Sequence, residues 1–167
     1  ERAPKQHVGF KFFNVYGPNE YCKGSMASVV FHTFQSIQKT GEMGIFKSYR
    51  KDYADGQQLR DFIYVKDLCK VVRFMMEHSE INGLFNLGTG KARSFYDLAG
   101  AVFDAMGLAR RIRFVEMPEA LRGKYQYFTE AKMDKLREAG YQDAFYSLED
   151  GVLEYVREYL DHENQVY

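Results

Sequence analysis

The sequence predicts an α/β fold, and three observations predict it. Short runs rich in aromatic and β-branched residues recur along the chain, as in H-V-G-F-K-F-F at His7–Phe13. Between them lie longer runs whose apolar residues repeat at helical spacing, as in Leu68, Val71, Val72 and Met75. Turn and capping residues punctuate the junctions: Gly17-Pro18, Gly41, Asn82-Gly83, Gly107 and Gly140. Strands alternating with helices argue for interleaved α/β units instead of segregated layers.

Each element has its own local reason. His7–Phe13 reads as a strand that breaks at Gly17-Pro18 and enters a short polar loop. Ser25 has the character of an N-cap, and Ser25–Thr40 fits a helix with Val29, Val30, Phe34 and Ile37 near one face. Gly41 stops it. Ile45-Phe46 is a short apolar piece, and Lys47–Leu59, polar and Tyr-bearing with an Asp55-Gly56 turn, reads as an exposed loop. Arg60–Val65 is a strand or strand end leading to a helix over Asp67–His78, with Met75 and Met76 as core filler. Leu84–Gly88 is the next strand and ends in Gly88-Thr89-Gly90. Ser94 and Asp97 open a helix through Met106 in capping-box fashion. Ile112–Met117 alternates as a strand, closed by Pro118. Thr129 is placed to cap a helix over Glu130–Ala139, and Ser147 with Asp150 opens a last helix, Leu148 to about Leu160, amphipathic through Val152, Leu153 and Val156.

Composition limits the function classes. With 23 basic and 23 acidic side chains and no basic block, the chain has no electrostatic footprint for nucleic acid. No apolar run reaches membrane-spanning length and no secretory leader opens the sequence. Cys22 and Cys69 lack metal-type spacing and read as free thiols of a reducing compartment, so no metal site is expected. The 167 residues suit one domain or part of a larger one. Glu1-Arg2-Ala3-Pro4 carries no initiator Met and runs almost at once into an apolar strand, which needs neighbours on both sides. That leads us to expect the later portion of a longer chain.

A strand that ends in a polar loop and re-enters a helix is where α/β proteins bind ligands. Asn14, Lys23 and Ser25 are therefore placed to converge on an anionic or sugar-like group, against the plainer reading of a solvated β-to-α connection. His32 lies seven residues beyond Ser25 and, on a common helix, shares its face. Arg60 beside Asp61 reads either as a self-satisfied ion pair or as an anion clamp held by its neighbour. Gly88 and Gly90 let a backbone approach a phosphate or simply make a tight turn.

Taken together, F-N-V-Y-G-P at Phe13–Pro18, R-D-F-I-Y-V-K-D at Arg60–Asp67 and N-L-G-T-G at Asn86–Gly90 resemble, in order and spacing, the carboxyl-terminal half of the extended short-chain dehydrogenase/reductases acting on nucleotide sugars. Within that family the likeness narrows to the ADP-heptose 6-epimerases, through K-G-S-M-A-S-V-V-F-H at Lys23–His32, F-K-S-Y at Phe46–Tyr49 and G-K-Y-Q-Y-F-T at Gly123–Thr129. It covers nearly the whole chain, from about Val8 to the last helix.

The resemblance implies the C-terminal part of a doubly wound Rossmann-type sheet plus a small α/β substrate-binding domain. It implies inversion at C6″ of ADP-D-glycero-D-manno-heptose by NADP-mediated oxidation and re-reduction, for lipopolysaccharide core precursors. It assigns proton transfer to Lys23, which also touches the cofactor along with Val15, and asks that burial or a neighbouring cation lower the lysine's pKa. Asn14, Ser25, His32, Phe46, Lys47, Ser48, Tyr49, Arg60 and Tyr125 fall to ADP-heptose. A bacterial cytoplasmic homo-oligomer, with a pentamer as candidate, comes with it. The sequence departs in two places. The Arg50–Leu59 loop is longer than in some relatives. The chain also has neither G-x-x-G-x-x-G nor Y-x-x-x-K, so the dinucleotide-binding half and the family's other acid/base are absent and the chain alone is expected to be inactive. The competing readings are another nucleotide-sugar epimerase or dehydratase of the family and a non-catalytic sugar-nucleotide-binding module.

Overall fold

A computed structural model describes residues 4–162. Glu1–Ala3, on which the expectation of a longer chain partly rests, lie outside the described residues. The backbone is built from short parallel strand pairs. β1 (Val8–Phe12) runs beside β6 (Gly83–Leu87). At Phe13 the chain shifts sideways: Phe13 N still donates to Leu87 O at 3.1 Å, whereas Asn14 N donates to Asp61 O at 3.0 Å. β2 (Asn14–Tyr16) then pairs with β5 (Phe62–Tyr64). Further out, β3 (Met43–Phe46) pairs in parallel with β8 (Ile112–Val115). A third small sheet places β4 (Leu59–Arg60) between antiparallel β7 (Arg93–Ser94) and parallel β9 (Phe128–Thr129).

β5 separates two cores. Successive strand side chains point to opposite faces, so Phe62 and Tyr64 enter one core while Ile63 enters the other. All three are buried, as expected of a strand covered on both sides. The first core adds Tyr16 and the helices α1 (Val29–Thr40), α3 (Phe95–Ala105) and α6 (Leu148–Tyr155), with α3 packed against both α1 and α6. Leu98, Ala99, Gly100, Ala101, Val102 and Phe103 are all buried, which suits a helix apolar nearly all round. The second core joins Val71 and Met75 of α2 (Val65–Glu77) to Phe85, Leu87 and Leu136, the last on α5 (Asp134–Glu138). Full burial of each Leu, Val or Phe contributes about 1.5–3 kcal/mol.

Several helix boundaries follow their local signals. Ser94 Oγ accepts from Asp97 N at 2.9 Å and Asp97 returns the bond to Ser94 N at 3.3 Å, completing the expected capping box. Ser147 caps α6 through Asp150 N at 3.0 Å. Gly41, with φ of 73°, closes α1 by donating to Ile37 O at 2.8 Å.

Other expectations fail for identifiable reasons. Ser25 is not the cap of α1; it lies in a 3₁₀ segment, Tyr21–Met26, and Ser28 caps α1 by accepting from Phe31 N at 3.2 Å. Ser25 and His32 therefore share no helix face. Thr129 pairs with Arg60 in β9, so the helix expected from Glu130 shrinks to the five residues of α5. Backbone pairing across the sheet outcompetes the local cap. Met76 is 75 % exposed while Met75 is buried, because one helical step of about 100° carries it off the core face. Leu153 is exposed for the same reason. α6 ends at Tyr155 and the chain continues as a π turn, Val156–Leu160. The Lys47–Leu59 loop is not uniformly exposed: Gln58 is buried and donates to Phe46 O at 3.3 Å and Lys47 O at 3.2 Å. Among the described residues β1 pairs only with β6, and Phe12 is 53 % exposed.

Asp61 decides the Arg60–Asp61 question. Its carboxylate is fully buried and accepts from Thr89 N and Thr89 Oγ1, both at 2.7 Å, from Gly90 N at 2.9 Å and from Ala131 N at 3.0 Å. It is not the ion-pair partner of Arg60. The Gly88–Gly90 turn wraps an anion, but that anion belongs to the protein. A Cβ on Gly88 would sit 2.6 Å from Asp61 Oδ2, so the glycine permits the close approach. Asp61→Ala strands several buried donors and is expected to cost on the order of 3 kcal/mol. Urea denaturation measures this, and a loss below about 1 kcal/mol would show that the carboxylate is not the organising contact.

Candidate active site

Two adjoining cavities collect five of the expected residues: Asn14, Val15 and Lys23 in one, Phe46 and Tyr125 in the other. The first, about 250 Å³, lies at the carboxyl end of β2 and is lined by Asn14, Val15, Tyr16, Glu20, Lys23 and Val29 among others. Lys23 is exposed on the 3₁₀ segment and has no ion-pair partner among the described residues. The burial or neighbouring cation expected around this lysine is not present among them. Met26, 83 % exposed, also lines this cavity and places apolar surface beside the amine.

The second cavity, about 260 Å³ and mainly apolar, is lined by Val29, Ile45, Phe46, Gln58, Phe95 and Tyr125. Val29 is common to both. Phe46 and Tyr125 meet edge to face at 6.3 Å, leaving ring surface for a flat group. Arg60 lies over Tyr125 and Phe95, with its guanidinium 5.2 Å and 5.7 Å from the ring centroids. It donates to Leu59 O at 2.8 Å and to Gln126 O, and no carboxylate pairs with it among the described residues. Burial pulls its pKa down, with Tyr125 opposing, yet a guanidinium remains charged. A half-buried cation without a counter-charge is a seat for an anionic group.

The rest of the F-K-S-Y run serves a different contact. Lys47 Nζ reaches Glu116 Oε1 at 2.7 Å, the Tyr49 hydroxyl donates to the same carboxylate, and Arg122 sits 4.0 Å above the Tyr49 ring. Tyr49 N donates to the Tyr127 hydroxyl at 2.9 Å. Ser48 is turned into its own loop, with its N–H on Asp55 Oδ1 at 2.7 Å and its hydroxyl on Arg50 O at 3.0 Å. Ser25 and His32 line neither cavity. Sequence reasoning missed Glu20, Phe95, Glu116 and Gln58. Glu116 alone had a signal, as one of two charged residues, with Arg113, in the Ile112–Met117 run. A larger cleft of about 420 Å³, lined by Lys91, Arg93, Arg137 and Tyr146, holds none of the expected residues. There Arg93 is already paired with Glu149 at 2.6 Å and Asp97 at 3.3 Å.

The sequence profile of the NAD dependent epimerase/dehydratase family matches residues 4–88. The chain belongs to that family. It is 51 % identical over 170 aligned residues to an ADP-L-glycero-D-manno-heptose-6-epimerase of Fusobacterium nucleatum, covering 98 % of this chain and 51 % of that protein. A protein of the same name from Nitratidesulfovibrio vulgaris is 57 % identical over 153 residues, 92 % of this chain and 47 % of the other. Among solved structures, the Helicobacter pylori ADP-L-glycero-D-manno-heptose-6-epimerase superposes with a TM-score of 0.73 at 25 % identity, over 92 % of this chain and 44 % of that one. A Thermus thermophilus UDP-glucose 4-epimerase in complex with NAD gives 0.68 at 22 % identity, over 89 % and 45 %, and shows the shared fold. The chain spans about half the length of the curated relatives it matches. These epimerases and dehydratases place the α/β architecture among Rossmann-type folds, of which this chain is a fragment.

Glu116 joins Lys47 and Tyr49 on the exposed surface that follows Phe46. Hydrogen bonds from Lys47 and Tyr49 hold its pKa below the ordinary 4.5, and the same contacts raise those of Lys47 and Tyr49. A depressed carboxylate contributes its tie above 4.5 and loses it as pH falls through the lower folded value. The raised lysine keeps its share below 10.5 and loses it as pH climbs through the higher folded value. The latch should therefore hold across neutral pH and release in acid. Tyrosine ring NMR checks this: Glu116→Gln should return the Tyr49 phenol toward its ordinary pKa of 10.0, and an unchanged titration would refute the contact.

Proposed function

We propose that this chain is the substrate-contacting portion of a nicotinamide-dependent nucleotide-sugar epimerase that inverts C6″ of ADP-D-glycero-D-manno-heptose to the L-glycero epimer. The observation that carries the reading is the meeting of two unlike cavities at Val29, one presenting an amine and the other aromatic rings beside an unpaired arginine. The identity of 51–57 % to proteins named ADP-L-glycero-D-manno-heptose-6-epimerase selects the sugar nucleotide. In this arrangement Phe46 and Tyr125 take the adenine or ribose, Arg60 binds the diphosphate, and Asn14 and Lys23 face the sugar. The coarser reading, some other epimerase or dehydratase of the family, shares the fold, and the Lys23–His32 run argues against it.

NADP is the cofactor of this reading, and the residues present fit its reactive end only. Asn14, Val15 and Lys23 line one cavity at the carboxyl end of β2 and would hold the nicotinamide end. The glycine turn at Gly88–Gly90 does not fit a pyrophosphate, because its N–H groups are already bound to the Asp61 carboxylate. That cradle, and the second acid/base group, are assigned to a preceding dinucleotide-binding half. The open edge of β1 and the exposed Phe12 and Leu84 beside it support that arrangement. When bound, the cofactor would supply the hydride acceptor that oxidises C6″ to a carbonyl and the hydride donor that reduces its opposite face. Lys23 moves the proton of the C6″ hydroxyl and Asn14 orients the sugar. The setting of the reading is the bacterial cytoplasm, in lipopolysaccharide precursor synthesis, with the enzyme a homo-oligomer and a pentamer as working stoichiometry.

The test is turnover of ADP-heptose against UDP-glucose by the enzyme carrying both halves, after intact mass has established which chain is in the sample. Conversion of ADP-heptose alone is expected, and none by the 167-residue chain. Lys23→Ala should lower kcat roughly 100- to 10,000-fold with the cofactor retained. Arg60→Ala should raise KM roughly 10- to 100-fold through loss of charge-assisted hydrogen bonds. Equal conversion of UDP-glucose would replace the substrate assignment, and cofactor-free ADP-sugar binding without turnover would favour a binding module.

A further inference from the structure

The turn that carries Lys23 is held by little of its own. None of the six residues Tyr21–Met26 is buried, and Gly24 interrupts the 3₁₀ geometry with φ 54° and ψ −128°. Tyr21 touches the Phe31 ring at 5.9 Å. At the turn's leading edge, however, lies a carboxylate only 3 % exposed, that of Glu20. Its Oε2 accepts from Ser28 N at 2.7 Å, and its Oε1 accepts from Ser28 Oγ at 2.7 Å and from the Tyr155 hydroxyl at 2.9 Å. Its backbone oxygen accepts from Lys23 N at 3.0 Å. Ser28 Oγ in turn accepts from Phe31 N and so starts α1, while Tyr155 is the last residue of α6. Burial, and then the neighbouring Glu20 charge, push the Tyr155 phenol well above its ordinary range, so it remains a donor at neutral pH.

A carboxylate this deeply buried costs free energy unless its acceptor sites are filled. Here two of the three donors come from Ser28, just past the turn, and the third from Tyr155, 135 residues away. We propose that Glu20 is a positioning residue: it clamps the Lys23 turn between the start of α1 and the end of α6, and so fixes where the amine stands over the sugar. The placement of Lys23 therefore depends on the far end of the chain through one phenol. This inference rests on the assignment of proton transfer to Lys23. It adds to it that Glu20, although it borders the same cavity, acts through Lys23, because its carboxylate oxygens are taken by Ser28 and Tyr155.

The test uses the enzyme bearing both halves, with Glu20→Gln, Tyr155→Phe and Lys23→Ala alone and combined, read by kcat, KM and amide hydrogen exchange. Glu20→Gln should lower kcat roughly 10- to 100-fold, the cost of misplacing a reacting group, with KM changed less than about threefold. Tyr155→Phe, which keeps the buried ring, should give the same pattern at roughly 3- to 10-fold and serves if the first variant does not fold. Exchange should quicken at residues 21–26 and not in α3. In the Lys23→Ala background neither substitution should lower kcat further, since residues acting as a unit are not additive. A further loss in that background, or unchanged exchange over 21–26, overturns the clamp. Undiminished turnover in Lys23→Ala overturns the underlying lysine assignment instead, and exchange alone then decides whether Glu20 holds the turn.

Discussion

The buried Asp61 carboxylate is the contact on which the rest of the site geometry depends. It stands between β4 and β5 and draws in the backbone of the Gly88–Gly90 turn and of Ala131. Three stretches of chain are thereby tied to one point. Because neighbouring strand residues face opposite ways, placing Asp61 inward sends Arg60 outward, over Tyr125 and Phe95. An internal anion thus sets the position of a cation left free for an external one. The same carboxylate occupies the N–H groups that a glycine-rich turn would otherwise offer to phosphate.

The two cores divide the labour between binding and support. β5 separates them, and its three consecutive buried residues leave no room for it to shift register without turning Ile63 and Tyr64 into the wrong core. The side carrying α1, α3 and α6 underlies both site cavities, through Val29, Phe62, Phe95 and Leu98. The residues proposed to meet a ligand sit above it on thin pieces: Lys23 on a 3₁₀ turn, Arg60 on a two-residue strand and Phe46 at the end of β3. Such pieces bury little of themselves, and polar contacts from elsewhere do the holding. Gln58 supports the backbone of Phe46 and Lys47, Glu116 ties Lys47 to Tyr49, and Glu20 ties the Lys23 turn to α6.

Legibility in the sequence followed the range of the interaction. Ser94 with Asp97 and Ser147 with Asp150 were readable because cap and backbone partner lie three residues apart. Ser25 was misread in favour of Ser28 because both are small hydroxyl residues ahead of the same apolar run. What separates them is the Glu20 carboxylate, which turns the intervening residues into a 3₁₀ segment and accepts from Ser28 N and Oγ. Thr129 was misread for a related reason, since its pairing partner Arg60 lies in another part of the chain. Of the site residues, Asn14 and Lys23 could be grouped from one loop, and Val15, Phe46 and Tyr125 through the family resemblance. That Arg60 is unpaired, and that Ser48 is spent on its own loop, could not be read from order alone.

The sequence by itself determined the alternation of strands and helices, most of their ends, and the family, because periodicity, caps and motif spacing are carried by residues close together in the chain. Tertiary structure decided which polar groups are already spent and which remain for a ligand. Asp61 could not be seen to belong to Thr89, Gly90 and Ala131, nor Glu20 to Tyr155, until folding brought them within 3 Å. A buried charge takes whichever donors the packed chain delivers to it, and that delivery is a property of the closed fold.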